Sequence, residues 1–529
     1  MDASNLVVQE ESEDAFVLTN LARQLGRNIP RFAELKAFKD GREMVDESSV
    51  PQGVDPDAAP VYQKIRHFGS LNLARRISEA VTDHQQPNGF RRIGDEDSES
   101  EAVDGMYRRC RMATMLRRDT FPDAGDYGCA YGYVGRGMGG RYIRSVSPWE
   151  CVMSDDGDSA VMYTFDAMNQ RECMDLFRLS RDDSGYPVKV YSRTAVREAE
   201  SRSLLAESDD EGIDKILDDN KEWDPGNDWE WEGDENNDFD YALRCGSLPI
   251  VQYSTPDGKG LFEPHLPTLK RIDRQLFDRL CITMMQAFRQ RALKGELPQA
   301  YAEDDPLVLS GQVNAGDPID YSNAFRMAPA AMWNLPEGVD VWESQVTETT
   351  SLQANIVGDI KQLAATSGIP LDVLSPDVQG SAAGADLKRE GLKFKVENLN
   401  MLAADAITLM LRMAMVLDGD ASAADADFEM MWKPVDTTSQ LELAQAAQLE
   451  YSTGLKSRKT ILTHSYGFTA QDIAEDDMNR LSDQFNLQPV TTGAQPATSA
   501  AATPATGWDV GTLGTDDMQA VDDGLPEAF

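Results

Sequence analysis

Histidine is scarce in this 529-residue chain: His67, His84, His265 and His464 are the only four, and none sits in an H-E-x-x-H pattern or beside a G-x-S-x-G turn. Metalloprotease and serine-hydrolase chemistry, which need histidine at a fixed spacing from a carboxylate or serine, therefore lack support. Cysteine is thin as well. Cys110, Cys129, Cys151, Cys173, Cys245 and Cys281 lie far apart with no C-x-x-C pair, which excludes a zinc knuckle and a small disulfide scaffold and leaves free thiols of a reducing compartment as the expectation. No uninterrupted run of about 18 apolar residues occurs, and the acidic segment Met1 to Glu13 lacks a basic-then-apolar leader, so neither a membrane nor export is expected. No repeat of fixed period is present. Positive charge is the largest deficit: 50 Lys and Arg face 90 Asp and Glu, a formal charge of -40. Binding driven by counterion release needs clustered Lys and Arg, so a surface of this overall charge repels DNA. Nucleic acid handled by such a chain is touched at a few local basic groups or not gripped at all.

Several patterns imitate known chemistry without completing it. Gly135-Arg136-Gly137-Met138-Gly139-Gly140 matches G-x-G-x-x-G after an apparent strand, but Arg141-Tyr142-Ile143-Arg144-Ser145-Val146 alternates as a strand. No helix N-terminus follows to receive a pyrophosphate, and a glycine-rich hairpin is expected instead. Asp155-Asp156-Gly157-Asp158 and Glu303-Asp304-Asp305 lack the closing glutamate of a calcium loop and read as solvated turns. Among so many acids, carboxylate pairs at catalytic separation arise by chance, and spacing singles out none. No catalytic residue, metal ligand or cofactor is assigned, and the chain is not expected to be an enzyme.

Apolar spacings of three and four predict helices over Phe16 to Leu25, Ile29 to Gly41, Leu71 to Val81 and Glu101 to Arg118, the last ending before a turn at Phe121-Pro122-Asp123-Ala124-Gly125. Strand signals follow at Cys129 to Val134, Arg141 to Val146, Cys151 to Ser154, Ala160 to Asp166, Glu172 to Leu179 and Val188 to Thr194. Ser203 to Asp240 is strongly acidic around Trp223, Trp229 and Trp231 and reads as a solvated, mobile loop. A strand at Leu248 to Tyr253 precedes a long helical pattern from Leu266 to Lys294, whose apolar stripe would extend roughly 43 Å at 1.5 Å per residue. A Pro- and Gly-rich stretch with short strand signals runs from Glu296 to Glu343. Helices are then predicted over Thr347 to Ala365, stopped by Gly368, and over Ser381 to Leu417, where Gly391 permits a kink. Short helices over Gln440 to Tyr451, Ser457 to His464 and Ala470 to Phe485 precede a tail of Thr, Ala, Gly, Pro and scattered acids that reads as disordered.

The order of these pieces resembles the portal proteins of long-tailed bacteriophages, particularly those of actinobacterial hosts. Gly246-Ser247-Leu248-Pro249-Ile250-Val251 and Leu261-Phe262-Glu263-Pro264-His265-Leu266-Pro267 are similar to the approach to that family's first stem helix. Met332-Trp333-Asn334-Leu335-Pro336-Glu337-Gly338 resembles its clip strand. Thr366-Ser367-Gly368-Ile369-Pro370 and Gly380-Ser381-Ala382-Ala383-Gly384-Ala385-Asp386-Leu387-Lys388 resemble the segments bracketing its tunnel loop. Leu441 to Ala446 and Tyr466 to Ile473 look like crown helices, and Phe38 to Gly41, Leu71 to Ala74, Asp126 to Gly128 and Ser147 to Glu150 look like parts of its wing. The acidic insert and the tail fall outside the resemblance, which rests on order and spacing.

The resemblance implies an α+β, mainly helical fold: an α/β wing over 1-265 with the insert 203-240, stem helix 1 over 266-294, a small β-containing clip over 295-346 and stem helix 2 over 347-366. A tunnel loop over 367-381, a kinked long helix returning to the wing over 382-435, a helical crown over 436-488 and a tail over 489-529 complete it. It implies a homododecameric ring at the portal vertex of the virion, assembled in the host cytoplasm, through which double-stranded DNA is packaged and ejected. Its implied partners are the terminase large subunit, the head-tail adaptor, and the major capsid and scaffolding proteins. The implied channel residues are Ile369, Pro370, Leu371, Asp372, Val373, Leu374, Ser375, Asp377 and Gln379, with Lys388 and Arg389 as DNA-proximal cations. Trp333, Trp342 and Tyr321 are the implied docking residues of the clip. Twelve copies would carry about -480, screened over roughly 8 Å at physiological salt, a lumen along which DNA slides. The two apolar stripes are expected to be covered by neighbouring copies in the ring. Two rivals stay open: a salt-adapted acidic intracellular enzyme, which predicts a monomer or dimer, and another phage head-tail structural protein.

Overall fold

The computed structural model describes residues 13–42, 68–93, 97–137, 142–204, 210–219, 222–287, 291–321, 338–343, 345, 347–375, 382–435, 440–468 and 470–486. Residues 1–474 form one compact unit and 475–529 a second. Helix and small antiparallel sheets alternate along the first unit, an α+β fold. It opens with α1 (Glu13–Asp40), a single helix where the sequence predicts two. Leu18, Leu25, Ile29 and Phe32 keep one buried stripe running past Pro30, so packing outweighs the hydrogen bond that the proline forfeits.

Next come α2 (Leu73–Thr82), β1 (Pro87–Arg92), α3 (Asp97–Arg109), α4 (Met112–Met115), a π-helical turn (Leu116–Thr120) and α5 (Phe121–Tyr127). The turn expected at Phe121 to Gly125 is thus helical. Pro122 lies in the first turn of α5, where its missing N–H costs nothing and its fixed φ suits the helix. Strands β2 (Cys129–Val134) and β3 (Ile143–Val146) pair antiparallel from Tyr131–Val146 to Val134–Ile143, the hairpin expected of the glycine-rich motif.

Five antiparallel strands make the largest sheet, in sequential order: β4 (Cys151–Met153), β5 (Ser159–Asp166), β6 (Arg171–Arg181), β7 (Pro187–Glu198) and β8 (Glu230–Asn236). β8 and the preceding α6 (Asp210–Asp219) belong to the acidic segment read above as a mobile loop, and that expectation is corrected. Ile213, Ile216 and Trp229 are buried in the core that α1 shares with this sheet, so a few apolar anchors order a segment whose composition is otherwise solvating. Arg197 stacks on Trp229 at 4.5 Å and Arg193 on Trp231 at 4.0 Å.

After α7 (Asp240–Arg244), β9 (Ile250–Ser254) joins β2 to complete a three-stranded sheet. The chain then leaves through α8 (Leu266–Ala287), β10 (Arg291–Lys294), α9 (Pro306–Leu309), β11 (Asp340–Glu343), α10 (Thr350–Ser367) and α11 (Leu371–Leu374). It returns on α12 (Ala382–Asp418), and β12 (Phe428–Trp432) pairs with β1 far back in the sequence. Arg389–Asp418 is apolar and long enough to cross a membrane by length and composition. One face of it is core, with Leu399, Ala403, Ile407, Met410, Leu411 and Ala414 buried, while Phe394 and Met401 are exposed. α13 (Gln440–Ser452), α14 (Arg458–His464) and α15 (Ala470–Asn486) lie close to their predicted spans, with Ser457 capping α14 through Thr460 N–H. Of the second unit, 475–486 are described, and Arg480 pairs there with Asp476 at 3.3 Å.

Candidate functional site

The first predicted long helix is shorter than expected. α8 ends at Ala287, about 33 Å from its start at 1.5 Å per residue, because Arg291 to Lys294 pair as a strand with Asp340 to Glu343. α8 and α10 run antiparallel: Arg271 and Gln275 reach Asp359, Arg279 reaches Gln353, and Gln286 reaches the Thr347 carbonyl. The same opposed order continues into the hairpin, where Arg291 faces Glu343 and Lys294 faces Asp340. One ladder therefore runs through helix and strand alike.

Arg271 grips Asp359 with two prongs, Nε to Oδ2 at 3.0 Å and Nη2 to Oδ1 at 2.9 Å, and Gln275 adds a bond of 2.8 Å. The Arg271 hydrogen bond is the main reason the Asp359 carboxyl lies below its ordinary range. Inside the pair, Leu269, Ile272, Leu276, Ile356 and Leu363 are buried within the chain. These residues are covered within the chain, so the expectation that neighbouring copies must cover both stripes is corrected for them, whereas Leu280, Met284, Leu352 and Ile360 of the same stripes stay partly exposed. Asp273 is also buried, accepting the Leu71 N–H at 3.0 Å, and its carboxyl is pushed up to about 6 by burial. Where the pair meets the rest of the unit, Arg31 donates to both Glu263 oxygens at 2.8 and 2.6 Å and to the carbonyls of Tyr127 and Gly258.

Gly368 ends α10 in the left-handed conformation, φ 69°, as its position predicts. Beyond it the predicted channel residues divide. Ile369 and Leu374 are buried, and Leu371 and Val373 pack against the same core, so these four serve the fold rather than a free loop. Pro370 precedes the single turn of α11, which Ser375 ends. Asp372 remains half-exposed and meets Arg389 at 3.2 Å, which brings together two residues singled out from sequence alone. Asp377 and Gln379 lie outside the described residues, as does the Lys388 side chain. α12 runs unbroken through Gly391. Lys395, one turn and a half beyond Arg389, donates to the Ser367 carbonyl at 3.3 Å, and burial lowers its pKa.

Trp342 projects from β11 with 55% of its surface exposed, while Tyr321 donates its hydroxyl to the Pro298 carbonyl at 2.8 Å; Trp333 lies outside the described residues. The acidic turns are closed by their own contacts. Asp156 accepts from Ser154 Oγ and the Asp158 N–H, Asp158 pairs with Arg181 at 2.7 Å, and Asp305 caps α9 through Leu307 N–H. Among the described residues no group of three or more His, Cys, Asp or Glu is placed to hold a metal ion. All six cysteines are free thiols, and burial pushes that of Cys129 up to about 11. The Arg271–Asp359 pair and buried Asp273 left no trace in sequence spacing, because the partners lie 88 and 202 positions away.

No protein-family model matches the chain, and no curated protein matches it in sequence. Among solved structures, a chain of one described as the neck of an empty GTA particle computed with C6 symmetry aligns over 78% of this chain and 97% of its own, at 11% identity and a TM-score of 0.35. That score lies below the level at which two chains share a fold.

Proposed function

We propose that the chain is a portal-type ring subunit, the head-to-tail channel component of a tailed phage. The observation that carries this reading is the antiparallel α8–α10 pair, extended in register by the β10–β11 hairpin and followed by a short turn and the 37-residue helix α12 that returns into the α/β core. In this reading α8 and α10 are the stem, the β10–β11 pair belongs to the clip, and α11 faces the channel. Twelve copies surround double-stranded DNA. Trp342 offers an exposed aromatic anchor for the terminase large subunit and afterwards for the head-tail adaptor, and capsid and scaffolding proteins hold the ring in the virion. The chain itself performs no chemistry, and the ATP-driven work belongs to the motor.

Charge refines the picture. The helix pair is not where the acidity resides, since α8 carries four basic residues against two acidic ones. Lys270 pairs with Glu34, Arg271 with Asp359, Arg274 with Asp278, and Arg279 bonds Gln353, so these cations are engaged rather than offered to phosphate. Arg389 is likewise held by Asp372. A channel built this way grips DNA weakly, which suits a conduit.

Negative-stain imaging and sedimentation of the purified chain test the proposal: closed rings of more than eight copies with a central hole and a tapered stem are expected. A persistent monomer or dimer would refute it. Because Leu374 is buried, the channel role is best probed by Asp372→Ala rather than by deletion, with reduced DNA packaging and intact rings as the expected result.

A further inference from the structure

The chain's charge is distributed unevenly. Between Met106 and Val146 it holds eight arginines and no lysine against three carboxylates, a local excess of cations in a chain of -40. Four of these arginines line one concavity of about 940 Å³, walled by α4, the π-helical turn and the strands β2 and β3. Arg111, Arg118, Arg136, Arg144 and, from α1, Lys39 reach it, against Asp119, Asp123 and Glu150. Several of these charges are already paired: Arg118 with Asp119 at 2.8 Å, Lys39 with Asp126, and Glu150 with Arg202 at 2.6 Å. Among the described residues neither Arg111 nor Arg136 forms an ion pair, and both side chains are exposed.

The backbone at this wall is unusual in two independent ways. Arg111 is held in the left-handed conformation, φ 52° and ψ 38°, which a non-glycine residue adopts only where its surroundings impose it. Five residues later the helix widens into a π-turn, a feature concentrated at functional sites. Thr114, Ser145 and Ser147 add hydroxyl groups, and Arg144 lies over the Tyr133 ring at 5.0 Å, leaving a flat aromatic and guanidinium wall.

We infer that this concavity binds the phosphodiester backbone of a nucleic acid, at a site separate from the channel. Planar guanidinium groups match phosphate oxygens two at a time, and hydroxyls complete the contact, whereas the chain's own abundant carboxylates supply competitors only at lower charge density. At physiological salt the field of the remaining acids fades beyond roughly 8 Å, so the local cations decide the outcome at the pocket. The inference does not depend on ring formation: binding is measurable on a monomer, and rings that bind no DNA here leave the portal reading untouched.

The test is fluorescence anisotropy of the full chain with a labelled 24-base-pair duplex and, separately, a 24-nucleotide single strand, in about 0.1 M salt. Binding of either probe is expected, the stronger arm naming the source. The doubly substituted Arg111→Gly, Arg136→Ala chain should lose affinity about tenfold or more and lower the slope of log affinity against log salt by about 2. Glycine suits the left-handed position, so this variant should keep its thermal midpoint. Arg23→Ala, on the exposed side of α1, should bind like the parent. No binding by the parent chain, equal loss in the Arg23→Ala control, an unaltered double variant, or displacement of DNA by polyglutamate at equal charge would overturn the inference, the last in favour of an acidic polypeptide.

Discussion

Gly26 in α1 and Trp223 in the acidic segment meet backbone to backbone: the Trp223 N–H donates to the Gly26 carbonyl at 3.3 Å. That carbonyl is open because Pro30, four residues on, has no N–H to give it. A Cβ at position 26 would lie 2.0 Å from the Trp223 carbonyl oxygen. A proline that weakens the helix and a glycine that thins it together create the seat for an outside strand of chain. Gly26→Ala should therefore destabilise the protein by about 1–3 kcal/mol and open α6 to protease, whereas Pro30→Ala, which creates no clash, should leave protease resistance nearly intact.

Trp229 anchors the same segment a few residues later. It is fully buried and donates its indole N–H to the Pro225 carbonyl at 2.8 Å. Trp229→Ala should cost about 3–5 kcal/mol in urea unfolding. A cost below about 1 kcal/mol would mean that the acidic segment is dispensable to the core.

Asp273 provides a pH signature. Its carboxyl is raised by burial to about 6, so the folded state holds a proton that the unfolded state has already released. Stability should fall as pH rises from about 4 to 6 and stay lower above that range. Asp273→Asn keeps an oxygen for the Leu71 N–H and removes the buried charge. It should stabilise the protein by about 2 kcal/mol at pH 7.5 and flatten the dependence, read by thermal unfolding across pH.

The Arg271–Asp359 pair behaves in the opposite sense. Its carboxyl is held below the ordinary range, so its contribution is present at neutral pH and lost as pH falls through the folded-state value. Arg271 is half-exposed, which screens the pair. A double-mutant cycle with Arg271→Ala and Asp359→Ala should return a coupling of about 0.5–1 kcal/mol at pH 7 that fades in acid.

Arg31 ties three turns together through Glu263, Tyr127 and Gly258. A lysine there keeps the charge but lacks the fork that spans them. Arg31→Lys should lose about 2 kcal/mol of stability, close to the loss for Arg31→Ala, by chemical denaturation.

Local features follow from the order of residues alone. The spans of α10, α12, α13 and α14 and of β2 were legible because a helical or alternating apolar pattern repeats within a few residues, and Gly368 marks its helix end by the one conformation glycine adopts freely. The glycine-rich hairpin was readable for the same reason, since what followed it alternated as a strand. Tertiary structure alone decided the rest. The end of α8 at Ala287 is set by strand partners at 340–343, and β12 is a strand because β1 lies beside it. The acidic segment folds because Ile213, Ile216 and Trp229 find a core built by α1 and the sheet, although its own composition argues for solvation. The Asp372–Arg389 pair and the arginine-lined concavity exist only once distant elements converge. Pattern reports the face that a residue presents, and only the fold supplies what meets that face.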